Sequence, residues 1–207
     1  METIFITGAT GFLGSYVVDR LMHSTDVHIR ALTRAKNRAE GVEKMWRAMQ
    51  LHWDAPTFHR FMDRIEFVQG DLTEPKLGID DATYDRLVGE CGSVLHIAAS
   101  LNRKSEKSCL NHNLRGTLSV IELARAMQDD HGIRRFSHVS TVAVAGQRKS
   151  ETVQEDQAID WDVSDYDPYG RTKKFCEHMV DELLPDVSST VFRPSIVLGD
   201  SRFPKTT

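Results

Sequence analysis

The sequence lacks the features that mark membrane proteins, nucleic-acid-binding proteins and metal sites. No apolar run approaches the roughly 20 residues that a membrane-spanning helix needs. Lys and Arg number 26 against 30 Asp and Glu, and a net charge of -4 argues against nucleic-acid binding, where a basic excess is usual. The histidines show neither H-x-x-x-H nor H-E-x-x-H spacing, so we expect no metal site.

Cysteine is also scarce. Cys91, Cys109 and Cys176 lie far apart without a C-x-x-C pair, which predicts reduced thiols packed as small apolar groups. The N-terminus has no basic region ahead of its first apolar run, so it does not read as a signal peptide. We therefore expect a cytoplasmic protein without a transmembrane segment.

Short apolar runs rich in β-branched residues alternate with longer helical patterns along the chain. The predicted strands are Thr3–Thr7, Val27–Leu32, Ile65–Gln69, Ser93–Ile97, Arg135–Ser140 and Ser189–Phe192; the predicted helices lie near Phe12–Met22, Ala39–Leu51, Ala82–Glu90, Ser105–Gln128 and Pro168–Leu184. Such apolar strands are typical of a parallel sheet covered on both faces. Because crossovers are right-handed, we predict an α/β fold, a Rossmann-type doubly wound parallel sheet.

The first strand runs into a glycine-rich turn, Thr7-Gly8-Ala9-Thr10-Gly11-Phe12-Leu13-Gly14, which opens a helix. Gly8 would permit the tight turn, Gly11 would let the backbone approach a pyrophosphate, and Gly14 would let the helix pack closely on the strand. The N–H groups at the positive end of the helix would hold the anion. The residues predicted to bind the dinucleotide here are Gly8, Thr10, Gly11, Phe12, Leu13 and Gly14.

The end of the second strand distinguishes the two nicotinamide cofactors. An NAD enzyme is expected to have a carboxylate about 20 residues after the glycines, to bind the ribose 2′-hydroxyl. Arg34 stands there instead, with Lys36 and Arg38 close behind. A guanidinium binds a 2′-phosphate through two charge-assisted hydrogen bonds, so the sequence favours NADP(H) as the cofactor.

Tyr169 and Lys173 are four residues apart and hence on one face of a helix, for which Asp167 and Pro168 suit the N-cap and first position. A nearby positive charge lowers the pKa of a phenol, so that it can exchange a proton with a carbonyl or alcohol oxygen. A hydroxyl donor beside the phenol would stabilise the developing oxyanion. Ser140 or Thr141, at the end of the fifth strand, would supply it.

Two further segments each allow two interpretations. A Trp/Met stripe, with Met45, Trp46 and Met49 at its centre, indicates either an amphipathic helix lying on the sheet, which we favour, or a partner-docking face. The acidic stretch Glu151–Asp167 superficially resembles a calcium loop, but it lacks the central Gly and terminal Glu. We expect it to be a solvated loop that borders the substrate entrance.

Taken in this order, the motifs resemble the extended short-chain dehydrogenase/reductase superfamily over essentially the whole chain. The resemblance is carried by the glycine turn, Gly70-Asp71-Leu72, His96-Ile97-Ala98-Ala99, Asn113-Leu114-Arg115-Gly116-Thr117, Val139-Ser140-Thr141, the Tyr169/Lys173 pair and Arg193-Pro194-Ser195-Ile196-Val197.

The resemblance implies a role for each of these segments. Asp71 would contact the adenine, Leu72 beside it would also bind the cofactor, and Ala98 and Ala99 would line the nucleotide groove. Asn113 would support the active site and cofactor from its helix, and Pro194, Ser195, Ile196 and Val197 would lie against the nicotinamide. Thr141, rather than Ser140, would be the hydroxyl partner, which makes Thr141, Tyr169 and Lys173 the catalytic set. Tyr169 and Lys173 would also contact the cofactor.

Within the superfamily the chain is most similar to thioester reductases and fatty acyl-CoA reductases. The similarity rests on Gly-Phe-Leu-Gly at 11–14, the helical insert after the second strand, the run 70–79, and Gly199-Asp200-Ser201. It implies NADPH-dependent reduction of an acyl thioester, on coenzyme A or a carrier protein, to an aldehyde or alcohol. We expect residues 1–207 to form the NADP(H)-binding domain and a substrate-binding lobe to lie beyond 207. Asn102-Arg103-Lys104 is polar for a segment that often faces an acyl substrate.

Two other functions remain open from the residues alone. A nucleotide-sugar epimerase or dehydratase shares the glycine turn and the Tyr/Lys pair, but it would favour an acid where Arg34 stands. A domain that binds NADP(H) without catalysis would not need Thr141, Tyr169 and Lys173 together.

Overall fold

The computed structural model describes residues 2–202, and within this range six parallel strands form one sheet. The strands are β1 (Thr3–Thr7), β2 (His28–Thr33), β3 (Ile65–Gln69), β4 (Ser93–His96), β5 (Arg135–Val139) and β6 (Ser189–Phe192); the α-helices are α1 (Phe12–Ser24), α2 (Arg38–Met49), α3 (Ala55–Met62), α4 (Asp81–Glu90), α5 (Glu106–Ser108), α6 (Gly116–Asp130) and α7 (Pro168–Leu183). The predicted Rossmann-type α/β fold is confirmed, and the predicted strand ends agree within one residue.

Side chains alternate between the two faces of the sheet along each strand. In β1, Ile4 and Ile6 belong to a core shared with α1, α2 and α3, whereas Phe5 points to a second core shared with α4, α6 and α7. Phe5 and Ile6 are fully buried. The sheet is therefore a middle layer between two layers of helices.

The strand order is β3-β2-β1-β4-β5-β6, so the chain reverses its direction of progress between β1 and β4. In open parallel sheets, ligands bind at the carboxyl ends of the strands where the order reverses. Here Gly8 follows β1 and Ile97–Ala99 follow β4 at that same edge. The topology thus brings the glycine turn to the centre of the binding edge.

Two helical features differ from the sequence prediction. Helix α3 was not predicted, although Asp54 caps it by accepting a hydrogen bond from Thr57 N at 2.9 Å and Pro56 lies in its first turn. The helix predicted over Ser105–Gln128 contains a π-helical segment, Cys109–Arg115, between α5 and α6. Such segments are local widenings of the helix that recur at functional sites, and apolar periodicity does not reveal them.

The Trp/Met stripe of α2 lies against the sheet, as favoured above. Met45 and Met49 are fully buried in the core with α1 and α3, and Trp46 packs edge-to-face on Phe58. The stripe therefore packs into the core on that side of the sheet. No helix within residues 2–202 combines the length and apolarity that a bilayer crossing requires.

Candidate active site

The turn between β1 and α1 has a backbone that admits only glycine at two positions. Gly8 has φ +77°, and a Cβ there would lie 2.7 Å from Ala98 N. A Cβ on Gly14 would lie 2.0 Å from the Gly8 carbonyl oxygen. Gly11 is the N-cap of α1 and has no side chain to occupy the first N–H groups of the helix. The turn therefore presents the open N-terminus of α1, the feature by which such turns bind a diphosphate.

A cavity of about 340 Å³ opens beside this turn at the ends of β1, β2 and β3. It is lined by seven of the residues predicted to bind the cofactor, namely Gly8, Thr10, Arg34, Asp71, Leu72, Ala98 and Ala99. Gly70, just before Asp71, would place a Cβ 2.4 Å from the Leu77 carbonyl oxygen, so the tight packing of that loop also requires glycine. The cavity has the position of a nucleoside site in this fold.

Asp71 is held in its ionised form within this cavity. Burial disfavours the carboxylate, but two hydrogen bonds from Thr73, both 2.8 Å, and the charges of Arg34 and His112 outweigh that cost. The pKa of Asp71 therefore lies below its ordinary value. At neutral pH the carboxylate can accept a hydrogen bond from a ligand in the cavity.

A larger groove of about 1090 Å³ adjoins the nucleoside cavity and shares Gly8, Arg34, Ala98 and Ala99 with it. The structure brings the other predicted residues together along its walls: Gly11, Phe12, Leu13, Gly14, Thr141, Tyr169, Lys173, Pro194, Ser195, Ile196 and Val197. Ser140, the alternative hydroxyl, lines the groove as well.

Tyr169 and Thr141 form the polar floor of the groove. Both side chains are buried, at 6% and 8% exposure. The Thr141 oxygen accepts a hydrogen bond from Ala143 N at 3.2 Å, which leaves the hydroxyl proton to be donated toward the phenol or a ligand. The Thr141 hydroxyl also favours the ionised form of Tyr169, and this effect links Thr141 rather than Ser140 to the phenol.

The pKa of Tyr169 is shifted in the direction opposite to the one we expected from the sequence. Burial raises the pKa of the phenol, and the charge of Asp167 acts in the same direction. The Arg103 guanidinium and the Thr141 hydroxyl lower the pKa without reversing the shift. The phenol is therefore protonated at neutral pH, which suits a proton donor.

Lys173 does not direct its charge at the phenol. Its ammonium is almost completely buried and donates a hydrogen bond to the Val139 carbonyl oxygen at 2.7 Å. Burial lowers the pKa of Lys173, although the neighbouring Glu177 opposes this effect. The cation therefore lies at the end of β5, on the floor of the groove, one helical turn from Tyr169.

Asn113 differs from the other predicted residues because it lines neither cavity. Its side chain is fully buried; Oδ1 accepts from Ser100 N at 2.7 Å, and Nδ2 donates to Ser100 O and to Thr172 Oγ1. It lies in the π-helical segment, which places the amide between the loop after β4 and α7. Asn113 thus holds the loop after β4 and α7 together and does not itself line the cavities.

The segment after β6 is anchored in a similar way. Arg193 donates three hydrogen bonds to Glu177 of α7, the shortest being 2.7 Å from Nη2 to Oε2. Glu177 is 3% exposed, so the pair is shielded from solvent on its acidic side. The bond ties the residue before Pro194 to the middle of α7, and Pro194–Val197 form one wall of the groove.

The structure also brings to the cavities residues to which the sequence motifs gave no role in the site, Lys44, His112, Arg103, Arg148 and Lys149 among them. Lys44 and His112 line the nucleoside cavity, and Arg103 lines the larger groove. Lys44 lies beside the apolar stripe of α2, and His112 lies within the π-helical segment. Neither position has a local motif, because their approach to the cavity depends on how the helices pack.

A family model for NAD-binding domains, described as male sterility protein, matches residues 6–206. The isonitrile lipopeptide synthase of Mycobacterium tuberculosis is 31% identical over 166 residues, which cover 77% of this chain and 6% of that protein. Among solved structures, the terminal R domain of the myxalamid PKS-NRPS pathway is 29% identical, with a TM-score of 0.88 over 97% of this chain.

The reductase (R) domain of a nonribosomal peptide synthetase from Mycobacterium tuberculosis is a further solved relative, 27% identical with a TM-score of 0.77 over 97% of this chain. The chain spans 51% of the myxalamid R domain and 49% of the mycobacterial one. It therefore corresponds to about half the length of these solved domains and to a small part of the synthase.

Proposed function

Because the chain belongs to the male sterility protein family of NAD-binding domains, we propose that it is an NADP(H)-dependent reductase of acyl thioesters. The chain is thus an extended short-chain dehydrogenase/reductase of the thioester-reductase branch, in agreement with its sequence motifs. The observation that carries the proposal is one groove that joins the glycine turn to Thr141, Tyr169 and Lys173.

The polar groups on the floor of this groove suit the stabilisation of an oxyanion. When bound, NADPH supplies the hydride that adds to the thioester carbonyl carbon. The hydroxyls of Thr141 and Tyr169 donate hydrogen bonds to the carbonyl oxygen, on which negative charge develops. Tyr169 is suited to this because burial raises its pKa and keeps the proton on the phenol. Cleavage of the carbon–sulfur bond then releases the thiolate and leaves the aldehyde.

Lys173 and Asn113 have supporting roles in this proposal. Lys173 would contribute a cation to the cofactor from the floor of the groove, while its bond to Val139 O holds the end of β5. Asn113 would keep the Ala98–Ser100 wall at a constant distance from α7 through Ser100 and Thr172. We infer that both residues keep the walls and floor of the groove in place, because small displacements of the reacting groups slow the reaction.

The cofactor preference is proposed from Arg34. Arg34 is exposed at the junction of the two cavities, where its guanidinium can reach a 2′-phosphate at the end of β2. We expect Arg34→Ala to weaken NADPH binding by about 30-fold and NADH binding by less than about twofold, since a charge-assisted hydrogen bond contributes about 1.5–3 kcal/mol. Isothermal titration with both cofactors measures the two changes.

Arg47→Ala is the matched control for this substitution. Arg47 lies on the exposed side of α2, paired with Glu43, and lines neither cavity. Its replacement removes the same charge and should leave both affinities unchanged. Equal losses of NADPH and NADH binding in Arg34→Ala would refute the proposed 2′-phosphate contact.

The substrate is tested by NADPH oxidation with the full-length protein, offered an acyl-CoA, an acyl carrier protein and a simple aldehyde in separate reactions. We expect oxidation that depends on a thioester, with a free thiol and an aldehyde or alcohol as products. The relative rates decide whether coenzyme A or a carrier protein is the partner. Turnover of a nucleotide sugar without any thioester reduction would assign an epimerase or dehydratase instead, and NADPH binding without turnover would assign a binding domain.

A further inference from the structure

Arg103, in the polar segment Asn102-Arg103-Lys104, lies on the Tyr169 side chain. Its guanidinium carbon is 5.0 Å from the centre of the Tyr169 ring, within the range of a cation–π interaction. Nη1 of the same guanidinium donates to Asp167 Oδ2 at 2.6 Å. Arg103 therefore contacts both the proposed proton donor and the residue that begins the helix of that donor.

The ion pair acts on the N-terminus of α7. Asp167 is the N-cap of this helix, and its other oxygen, Oδ1, accepts a hydrogen bond from Gly170 N at 2.8 Å. One carboxylate thus binds the first turn of α7 with one oxygen and Arg103 with the other. Because Tyr169 lies within that first turn, the direction of the phenol depends on both bonds.

The backbone that carries Arg103 is held in place independently of this ion pair. Arg103 N donates to Leu101 O at 2.9 Å, and both Ser105 N and the Cys109 thiol donate to Asn102 O. Ser100, at the start of the loop, is bound by the buried amide of Asn113. The loop after β4 is therefore fixed to the same residue that holds α7 through Thr172, and Arg103 adds a second link nearer the phenol.

The charged and polar groups that face the phenol come from four elements. They are Arg103 from the loop after β4, Asp167 from the cap of α7, Cys109 from the π-helical segment and Thr141 from the end of β5. Arg103 supplies the cation among them, and it lowers the pKa of Tyr169 whereas Asp167 raises it. Arg103 is also about half exposed along the groove, so a ligand can reach it.

We propose that Arg103 is a positioning residue that holds the Tyr169 ring from its face and fixes the start of α7 through Asp167. The inference rests on the proposed function, since it concerns the donor used in reduction. The Tyr/Lys spacing had suggested that the charge of Lys173 acts on the phenol. The proposal gives this role to Arg103, in the loop after β4. This contact with Tyr169 explains why the loop after β4 is polar.

The proposal makes opposite predictions for the two partners of the ion pair. Arg103→Met keeps much of the side-chain length but removes the positive charge, so the pKa of Tyr169 should rise. Asp167→Asn keeps a good helix cap but removes the negative charge, so the pKa of Tyr169 should fall. In both variants the tyrosinate absorbance in the near ultraviolet, with the signal of the same variant carrying Tyr169→Phe subtracted, measures the shift without any substrate.

Catalysis provides the second measurement. The protonated phenol is the active form in reduction, so activity is lost as the pH rises through the pKa of Tyr169. That alkaline limb should move to higher pH in Arg103→Met and to lower pH in Asp167→Asn. At neutral pH, kcat in Arg103→Met should fall by about 10-fold, a part of the 10²–10⁴-fold that a general acid contributes. Arg103→Lys should recover part of the loss because it restores the charge without the planar guanidinium.

Lys104→Met is the control, since Lys104 is the next cation of the same loop and its backbone N–H, rather than its ammonium, makes the bond to Asn102. It should leave the titration and kcat unchanged. Shifts of the same sign in Arg103→Met and Asp167→Asn, or none in either, would overturn the proposal. A raised KM with an unchanged titration would also overturn it and make Arg103 a substrate contact. Because the titration needs no thioester, its outcome is independent of whether the proposed substrate is correct.

Discussion

Replacement of Tyr169 by phenylalanine should lower kcat for reduction by about 10³-fold while the Kd for NADPH stays within about twofold of its original value. The substitution removes the hydroxyl and keeps the ring, which is buried and lies under the Arg103 guanidinium. The cavity lining and the first turn of α7 therefore stay in place. Steady-state kinetics and NADPH titration of the same preparation give the two numbers.

Tyr84→Phe is the matched control for this experiment. Tyr84 also has a cation over its ring, Lys76 at 5.5 Å, but it belongs to α4 and lines neither cavity. Its replacement should leave kcat unchanged. Nearly normal turnover in Tyr169→Phe would remove the phenol from the chemistry, and a large loss of NADPH affinity would make it a binding residue instead.

Gly14→Ala should have the second large effect, on both stability and cofactor binding. The added Cβ would lie 2.0 Å from the Gly8 carbonyl oxygen and 3.0 Å from the Ala9 carbonyl carbon, and both are backbone atoms that cannot rotate away. Helix α1 must move off the turn, at a cost of about 3 kcal/mol typical of overpacking. We expect Tm to fall by roughly 10 °C. NADPH affinity should fall at least about 100-fold, because the N–H groups of α1 no longer meet the diphosphate.

Gly89→Ala provides a control with the same chemical change. Gly89 lies in α4, and a Cβ there would meet no atom within 4 Å apart from its chain neighbours and the backbone of its own helix. Alanine is the better helix former by about 1 kcal/mol, so this variant should unfold at a slightly higher temperature and bind NADPH normally. If thermal unfolding and NADPH titration gave the same results for both variants, the close packing of α1 on the turn would not matter for the site.

The fold and the position of the site follow from local features of the sequence. The apolar β-branched runs determine the strands, and the glycine turn places a helix N-terminus at the end of β1. A parallel sheet then brings the residues after β4, β5 and β6 to the same edge. For this reason Ala98, Thr141 and Pro194 lie in one groove although they are far apart in the chain. Helix α3 was missed, but its signal was present in Asp54 and Pro56.

The electrostatics of the site depend on contacts between distant segments. Lys173 is near Tyr169 in sequence, yet its ammonium binds Val139 O, while Arg103 reaches the ring from 66 positions earlier. The sign of the pKa shift of Tyr169 is set by burial, which depends on the packing of α7 and of the loop after β4. The four-residue spacing of Tyr169 and Lys173 does not predict where the long lysine side chain points. Nor does it predict how far burial lowers the local dielectric around the phenol.

The sequence by itself thus determined the parallel α/β fold, the glycine turn and the strand ends at which the hydroxyls are found. These features depend on backbone geometry and on side-chain periodicity, which act over a few residues. Only the tertiary structure decided that Asn113 is buried and bonds the loop after β4 to α7. It also decided that Lys44 and His112 line the nucleoside cavity and that Arg103 is the cation beside the phenol. Such contacts are decided only when helices and loops pack, because burial and the reach of charged side chains arise from neighbours that are distant in sequence.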